Sequence, residues 1–191
     1  MKRSYSLGRR VEAKTASTGL ILEAAERLFS RELYEKVSLN RVAAEAGMGV
    51  QTVLRHFPTK EALFMASMTH ALDQADRSRP ALPGETLAGS VQHLLSYYER
   101  YGATVIHYLD QVATNPLFAP LTRAGREAHA RWTEVLFSPH LDMGKEGDTI
   151  RQAQIEAILD VRVWELLRLR KGLSMEEVSR VMLGLLEPFR A

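Results

Sequence analysis

The sequence predicts an all-α protein of about nine helices, a short helix-turn-helix unit near the N-terminus followed by a larger helical body. Apolar residues recur at helical spacing from about residue 17 to the C-terminus. No stretch alternates apolar and polar residues over a useful strand length. Gly47 separates two short helical segments, with Ser38 ahead of the first and Pro58 behind the second. The boundaries divide the chain into a basic N-terminal arm at 1–16, a helix-turn-helix domain at 17–62 and a helical body at 63–191.

Residues 2–16 are polar and basic and read as an arm outside the fold. Leu20, Ile21, Ala24, Ala25, Leu28 and Phe29 then form one apolar stripe on a helix over about 17–31. Ser38 is suited to cap a second helix that turns Leu39, Val42, Ala43 and Ala46 inward. Gly47 ends it, because glycine takes positive φ without a Cβ clash. A third helix spans Val50 to His56, stopped by Pro58, which keeps Phe57 out of helical geometry. Thr59 caps a fourth, from Lys60 to about Asp76.

Residues 77–84, with two prolines and a glycine, read as a linker or hinge. A long helix follows from Glu85 to about Val112, with a bend expected near Gly102. Asn115, Pro116 and Pro120 mark a loop, and the helical pattern resumes over 121–137. Residues 138–147 are a second loop. One helix is expected from Thr149 to Lys171, ended by Gly172, and another from Ser174, where Glu177 three residues on makes a capping box.

Charge is distributed unevenly. Residues 1–60 hold eleven Lys and Arg against six Asp and Glu, whereas the rest of the chain holds fourteen against seventeen. A basic head on a slightly acidic body suits a protein that presents one end to a polyanion. The chain has no cysteine, so disulfides, thiolate metal sites and thiol catalysis are excluded. It has no His-Glu-x-x-His, no Gly-x-Ser-x-Gly and no phosphate-binding loop, and Gly47-Met48-Gly49 lacks the third glycine and preceding strand of a dinucleotide fingerprint. Neither catalysis, nor a cofactor, nor a metal is expected. No apolar run is long enough to cross a membrane, and Met1 to Gly19 has no secretory h-region, so a cytoplasmic protein without a membrane partner is expected.

Ser38 to Phe57 has the form of a helix-turn-helix, whose second helix lies in the major groove of DNA. Periodicity turns Met48, Val53 and Phe57 inward. It turns Gln51, Thr52 and Arg55 outward, flanked by Val50 and His56. Gln can pair with adenine, Arg with guanine, and a Val methyl can pack on a thymine methyl. Lys60, in the first turn of the next helix, can hold a phosphate beside free backbone N–H groups. Arg9, Arg10 and Lys14 of the arm either reach a neighbouring minor groove or add non-specific attraction. The competing reading is a helical corner with an incidental polar face: an interaction module without specific DNA readout.

Over residues 20–64, the segments Leu-Ile-Leu-Glu-Ala-Ala-Glu-Arg-Leu-Phe, Val-Ser-Leu-Asn-Arg-Val-Ala-Ala-Glu-Ala-Gly-Met-Gly and Thr-Val-Leu-Arg-His-Phe-Pro-Thr-Lys-Glu-Ala-Leu-Phe resemble the DNA-binding domain of the tetracycline-repressor (TetR/AcrR) family. The resemblance implies DNA contacts at Asn40, Val50, Gln51, Thr52, Arg55, His56 and Lys60. It also implies a homodimer on a palindromic operator, a C-terminal ligand-binding and dimerisation domain, and repression relieved by a small-molecule effector, with the fourth helix as the lever. The chain departs from the family pattern in four places. Leu54 stands where a tyrosine usually meets a phosphate, Gln51 replaces a small residue, Gly49 replaces a capping serine, and no basic residue opens the first helix at Ser17–Thr18.

In the body, Ile150, Ala153, Ala157, Val161 and Trp164, followed by Met175, Val178, Met182, Leu185 and Phe189, form two apolar stripes. They resemble the pair through which the family dimerises as a four-helix bundle, which assigns Ile150, Ala153, Ala157, Val161, Trp164, Val178, Met182 and Leu185 to dimerisation; the alternative is that both stripes face only their own core. Four of six tyrosines, Tyr97, Tyr98, Tyr101 and Tyr108, fall within twelve residues, near His93 and His107, with Phe118, Trp132 and Phe137 on or beside the following helix. Aromatic walls with a few polar groups suit a small organic ligand. They mark Tyr97, Tyr101, His107, Tyr108 and Trp132 as candidate contacts to a largely apolar effector, against the alternative of plain core packing.

Overall fold

The computed structural model describes residues 3–79, 84–143 and 148–191, with side chains from Lys14 onward. Nine α-helices occur among the described residues: α1 (Arg3–Phe29), α2 (Leu39–Glu45), α3 (Val50–His56), α4 (Lys60–Arg77), α5 (Leu87–Gln111), α6 (Phe118–Phe137), α7 (Thr149–Ile158), α8 (Val161–Trp164) and α9 (Met175–Leu186). The extended pairing among them is a single bridge between Leu141 and Arg190. The chain divides into two compact units, one up to Gln74 and one from Ala75.

In the first unit, Ile21, Ala24, Ala25 and Phe29 of α1 are buried with Val42, Ala43, Val53, Leu63, Phe64 and Met68. Phe29, Tyr34 and Phe64 form a ring triangle with centroids 5.0 to 5.8 Å apart. The sequence expectation of an arm at 2–16 is corrected: α1 begins at Arg3. No proline interrupts residues 3–29, and Val11-Glu12-Ala13-Lys14 extends the helix by ordinary propensity, a signal that the missing apolar stripe conceals. The side chains of Arg9 and Arg10 lie outside the described residues.

The second unit centres on α5. Its face of Leu87, Val91, Leu94, Leu95, Tyr98 and Ile106 is buried with Leu136, Phe137, Ile155, Leu159, Val178, Met182 and Leu186. Thr86 caps α5, and the helix is continuous through Gly102. Gly102 serves close approach: a Cβ there would stand 2.5 Å from the Trp164 ring. Helix α6 starts before Pro120, which sits in the first turn, where a missing N–H costs nothing. The helix expected over 149–171 is broken. Asp160 accepts the Arg162 N–H and caps α8 afresh, and α8 passes into a π-helical turn, Glu165–Arg170. Gly172, at φ 71°, ends it. The capping box is formed, with Ser174 Oγ accepting from Glu177 N and Glu177 Oε2 from Ser174 N.

Candidate nucleic-acid interface and aromatic cluster

The α2–α3 corner is fixed by its backbone. Ser38 Oγ accepts the Arg41 N–H at the start of α2. At its end Gly47 takes φ 65°, Gly47 N donates to Ala44 O and Met48 N to Ala43 O. This paired closure satisfies the last helical carbonyls and turns the chain sharply into α3. Val53 is fully buried, while Met48 and Phe57 are half-buried. Thr59 Oγ1 accepts from Ala62 N as α4 begins.

This corner leaves Asn40, Gln51 and Arg55 exposed, and Val50, Thr52, His56 and Lys60 half-buried. Gln51, Thr52 and Arg55 share the outer side of α3, and an Arg55 guanidinium N–H reaches Thr52 Oγ1 at 3.4 Å. Leu54, at the position of the missing phosphate-binding hydroxyl, is half-buried. Lys60 Nζ lies 4.1 Å from the Tyr34 ring centroid. Burial pulls its pKa below the usual lysine value, against a raising influence of Glu35. The ammonium is thus held over an aromatic face at the start of α4.

A contact that sequence reasoning missed holds His56. Thr18 Oγ1 on α1 donates to Lys14 O at 2.9 Å and lies 3.0 Å from His56 Nδ1. The hydroxyl has one proton, already spent on the carbonyl, so Nδ1 carries the proton of the second bond and Nε2 is left to face other partners. No local pattern announces a pair 38 residues apart. On α2, Arg41 is taken up by Glu32, with both guanidinium ends at 2.6 Å, and this holds the Glu32 carboxyl below its ordinary pKa.

The aromatic residues of the second unit fall into two neighbourhoods. Tyr97 and Trp132 are buried with ring centroids 5.0 Å apart, and Tyr101 lies 5.0 Å from Tyr97. His107 and Tyr108 lie further along α5, where Tyr108 meets Phe118 and His107 Nε2 meets Gln111. The rise of an α-helix separates Tyr97 from Tyr108 by about 16 Å. The structure therefore brings together Tyr97, Tyr101 and Trp132, and groups His107 and Tyr108 separately. Arg79, read from the sequence as linker, enters the first group with its guanidinium 5.0 Å from the Tyr97 ring and 5.4 Å from Trp132.

Beneath this group, Tyr98 donates to Leu159 O at 2.5 Å, and His129 Nε2 lies 3.0 Å from the same hydroxyl and 3.3 Å from the same carbonyl. The carbonyl needs donors, so the arrangement selects an Nε2–H imidazole. Burial holds Tyr98 well above the usual tyrosine pKa and His129 below the usual histidine value, the latter against its bond to Leu159.

The residues assigned to dimerisation divide sharply. Val161, Trp164, Val178 and Met182 are buried in their own unit, which corrects that part of the assignment. The break at Asp160 takes Val161 and Trp164 out of the single-helix register that placed them on one stripe with Ile150, Ala153 and Ala157, and Val178 and Met182 lie on the buried face of α9. Ile150, Ala153, Ala157 and Leu185 are exposed, as are Leu166, Leu169 and Val181, which were not assigned.

Residues 21–66, which contain the α2–α3 corner, match the model of the bacterial regulatory proteins of the tetR family. Over 53 residues the chain is 42% identical to an HTH-type transcriptional regulator of Staphylococcus aureus (strain USA300), covering 28% of this chain and 29% of that protein. The likeness to that family is carried by these N-terminal residues. A longer match, 22% identical over 148 residues, is to the HTH-type transcriptional regulator EthR of Mycolicibacterium smegmatis, covering 74% of this chain and 68% of EthR. The fold of the chain is shared with a transcriptional regulator from Saccharomonospora viridis in complex with choline, at a TM-score of 0.67, 19% identity and coverage of 93% and 99%. It is shared too with the multidrug binding protein EbrR complexed with proflavin, at 0.56, 22%, 88% and 99%. Among the described residues, no helix is long and apolar enough to cross a membrane.

Proposed function

We propose that this chain is a cytoplasmic, dimeric repressor that reads a palindromic operator with α3 and releases it when its helical body binds a small, largely apolar organic ligand. The observation that carries the reading is the fixed α2–α3 corner, which leaves Gln51, Thr52 and Arg55 on one outer side of a helix whose inner side is anchored by buried Val53. In this reading Gln51 and Arg55 read base edges and Val50 packs on a thymine methyl. Asn40, Thr52, His56 and Lys60 fix the register through phosphates and neighbouring edges.

Exposed apolar side chains in the C-terminal part, Ile150, Leu166, Leu169, Val181 and Leu185, supply the face for a second copy. Two heads about 34–36 Å apart then read two half-sites. Effector binding acts by linkage: a ligand that prefers the arrangement unable to hold DNA lowers operator affinity by the factor by which DNA lowers its own. The solved relatives bound to choline and proflavin support an effector role for the second unit.

The test is selection of preferred duplexes from a random pool at about 0.15 M salt, where non-specific attraction is already weakened. A palindrome with half-sites one or more helical turns apart is the expected result. Binding without an enriched sequence, fading uniformly as salt rises, would replace this reading with that of a helical interaction module.

A further inference from the structure

The Arg79 guanidinium of the second unit is buried and only partly satisfied. Its side chain is 7% exposed, and its one carboxylate partner, Asp76, is 70% exposed at 2.8 Å from Nη1. Nη2 donates to the Tyr97 hydroxyl at 3.2 Å. Nε is buried with no hydrogen-bond partner. Such a group costs free energy until an acceptor reaches it, and a buried cation asks for an anion.

One polar group stands beside it and another follows one helical turn away on α5. The Tyr97 hydroxyl accepts from Arg79, which leaves its own proton to donate. His93 is one turn before Tyr97 on the same face of α5, and its Nδ1 is also buried without a partner. Tyr101 continues that face, and Trp132 closes it from α6. Native interiors rarely hold unpaired polar atoms, and two of them about one aromatic cluster point to a missing ligand.

We propose that this cluster is a recognition site for a small aromatic carboxylate. The carboxylate accepts from Arg79 Nε–H and Tyr97 O–H, His93 Nδ1 adds a third polar contact, and the aromatic part packs on Tyr101 and Trp132. The ring faces of Tyr97 and Trp132 already carry the Arg79 cation, which disfavours a cationic occupant. The assignment deepens the proposed effector role of the second unit and rests on it.

The full chain is titrated with benzoate, cinnamate and 2-naphthoate, with their primary amides, and with benzyltrimethylammonium and proflavin. Tryptophan fluorescence and thermal shift report binding, and operator affinity is measured alongside. At least one acid is expected to bind, about tenfold or more tighter than its amide, since charge-assisted pairs are roughly twice as strong as neutral ones. Arg79→Gln should abolish that preference at unchanged helix content. Tyr97→Phe should weaken acid binding several-fold and guards against a folding defect in the first variant. Amides equal to acids, binding confined to the cations, no binding in any series, or a folded Arg79→Gln that keeps the acid preference would overturn the site. An acid that binds without loosening the operator supports the site and refutes effector release. Release by compounds outside the acid series keeps effector release and overturns the anion assignment.

Discussion

Thr18 and His56, on α1 and α3, are joined by a 3.0 Å bond between Oγ1 and Nδ1, and the Thr18 proton is already committed to Lys14 O. The recognition helix is thus tied to α1 at its C-terminal end, and the His56 ring is oriented before any nucleic acid arrives. Thr18→Val removes the acceptor at near-constant volume. Operator affinity should fall several-fold, with a loss of about 0.5–1.5 kcal/mol in stability. Fluorescence anisotropy and urea unfolding on the same preparation check both.

Arg55→Ala should cost roughly 1–3 kcal/mol of operator affinity and relax one base preference. Lys60→Ala should weaken binding alike across sequences and make the salt dependence shallower. Selection from random duplexes with each variant separates a base reader from a phosphate contact.

The DNA-binding half was legible because its signals are local. Ser38, Gly47, Pro58 and Thr59 each do what their backbone chemistry dictates, and a run of apolar residues at helical spacing marks what is buried. The Thr18–His56 tie, the Arg79 side chain folded onto Tyr97, and the burial of Val178 and Met182 were not legible. They depend on which elements meet, and sequence separation erases that. The break at Asp160 was concealed for a different reason: apolar spacing continues across it, while the evidence for a restart is one aspartate serving as a cap.

Leu185→Glu and Ile150→Glu should convert the proposed dimer to monomer and weaken operator binding, with little change in the stability of the subunit. Met182→Ala and Val178→Ala should instead lower stability, by about 2–5 kcal/mol for the methionine and less for the smaller valine. Analytical ultracentrifugation beside thermal unfolding distinguishes the exposed set from the buried one.

Acid should destabilise the second unit through His129. Burial lowers its folded pKa, so the unfolded chain binds more protons once the pH falls below about 6.5, and stability declines from there toward the folded value. Glu26 works in the opposite sense. Burial raises its folded pKa above 4.5, against the lowering contact of His70, so stability falls as the pH rises from 4.5 through the folded value. His129→Gln should flatten the first dependence and Glu26→Gln the second in unfolding midpoints measured from pH 4 to 8, a range about the ordinary carboxylate and imidazole values.

Gly102 leaves room for one indole, and Trp164 occupies it while donating its ring N–H to Glu99 at 3.1 Å. A large ring seated in a notch in the opposing helix acts as a key in a slot. Sliding α8 lengthwise along α5 would lift the key against the side chains on either side of the slot, and the Arg162–Asp110 and Arg168–Glu99 ion pairs hold the chain to α5 on both sides of the key. The slot therefore sets which residue of α8 stands opposite which residue of α5, and the register of the two helices is written in one glycine and one tryptophan.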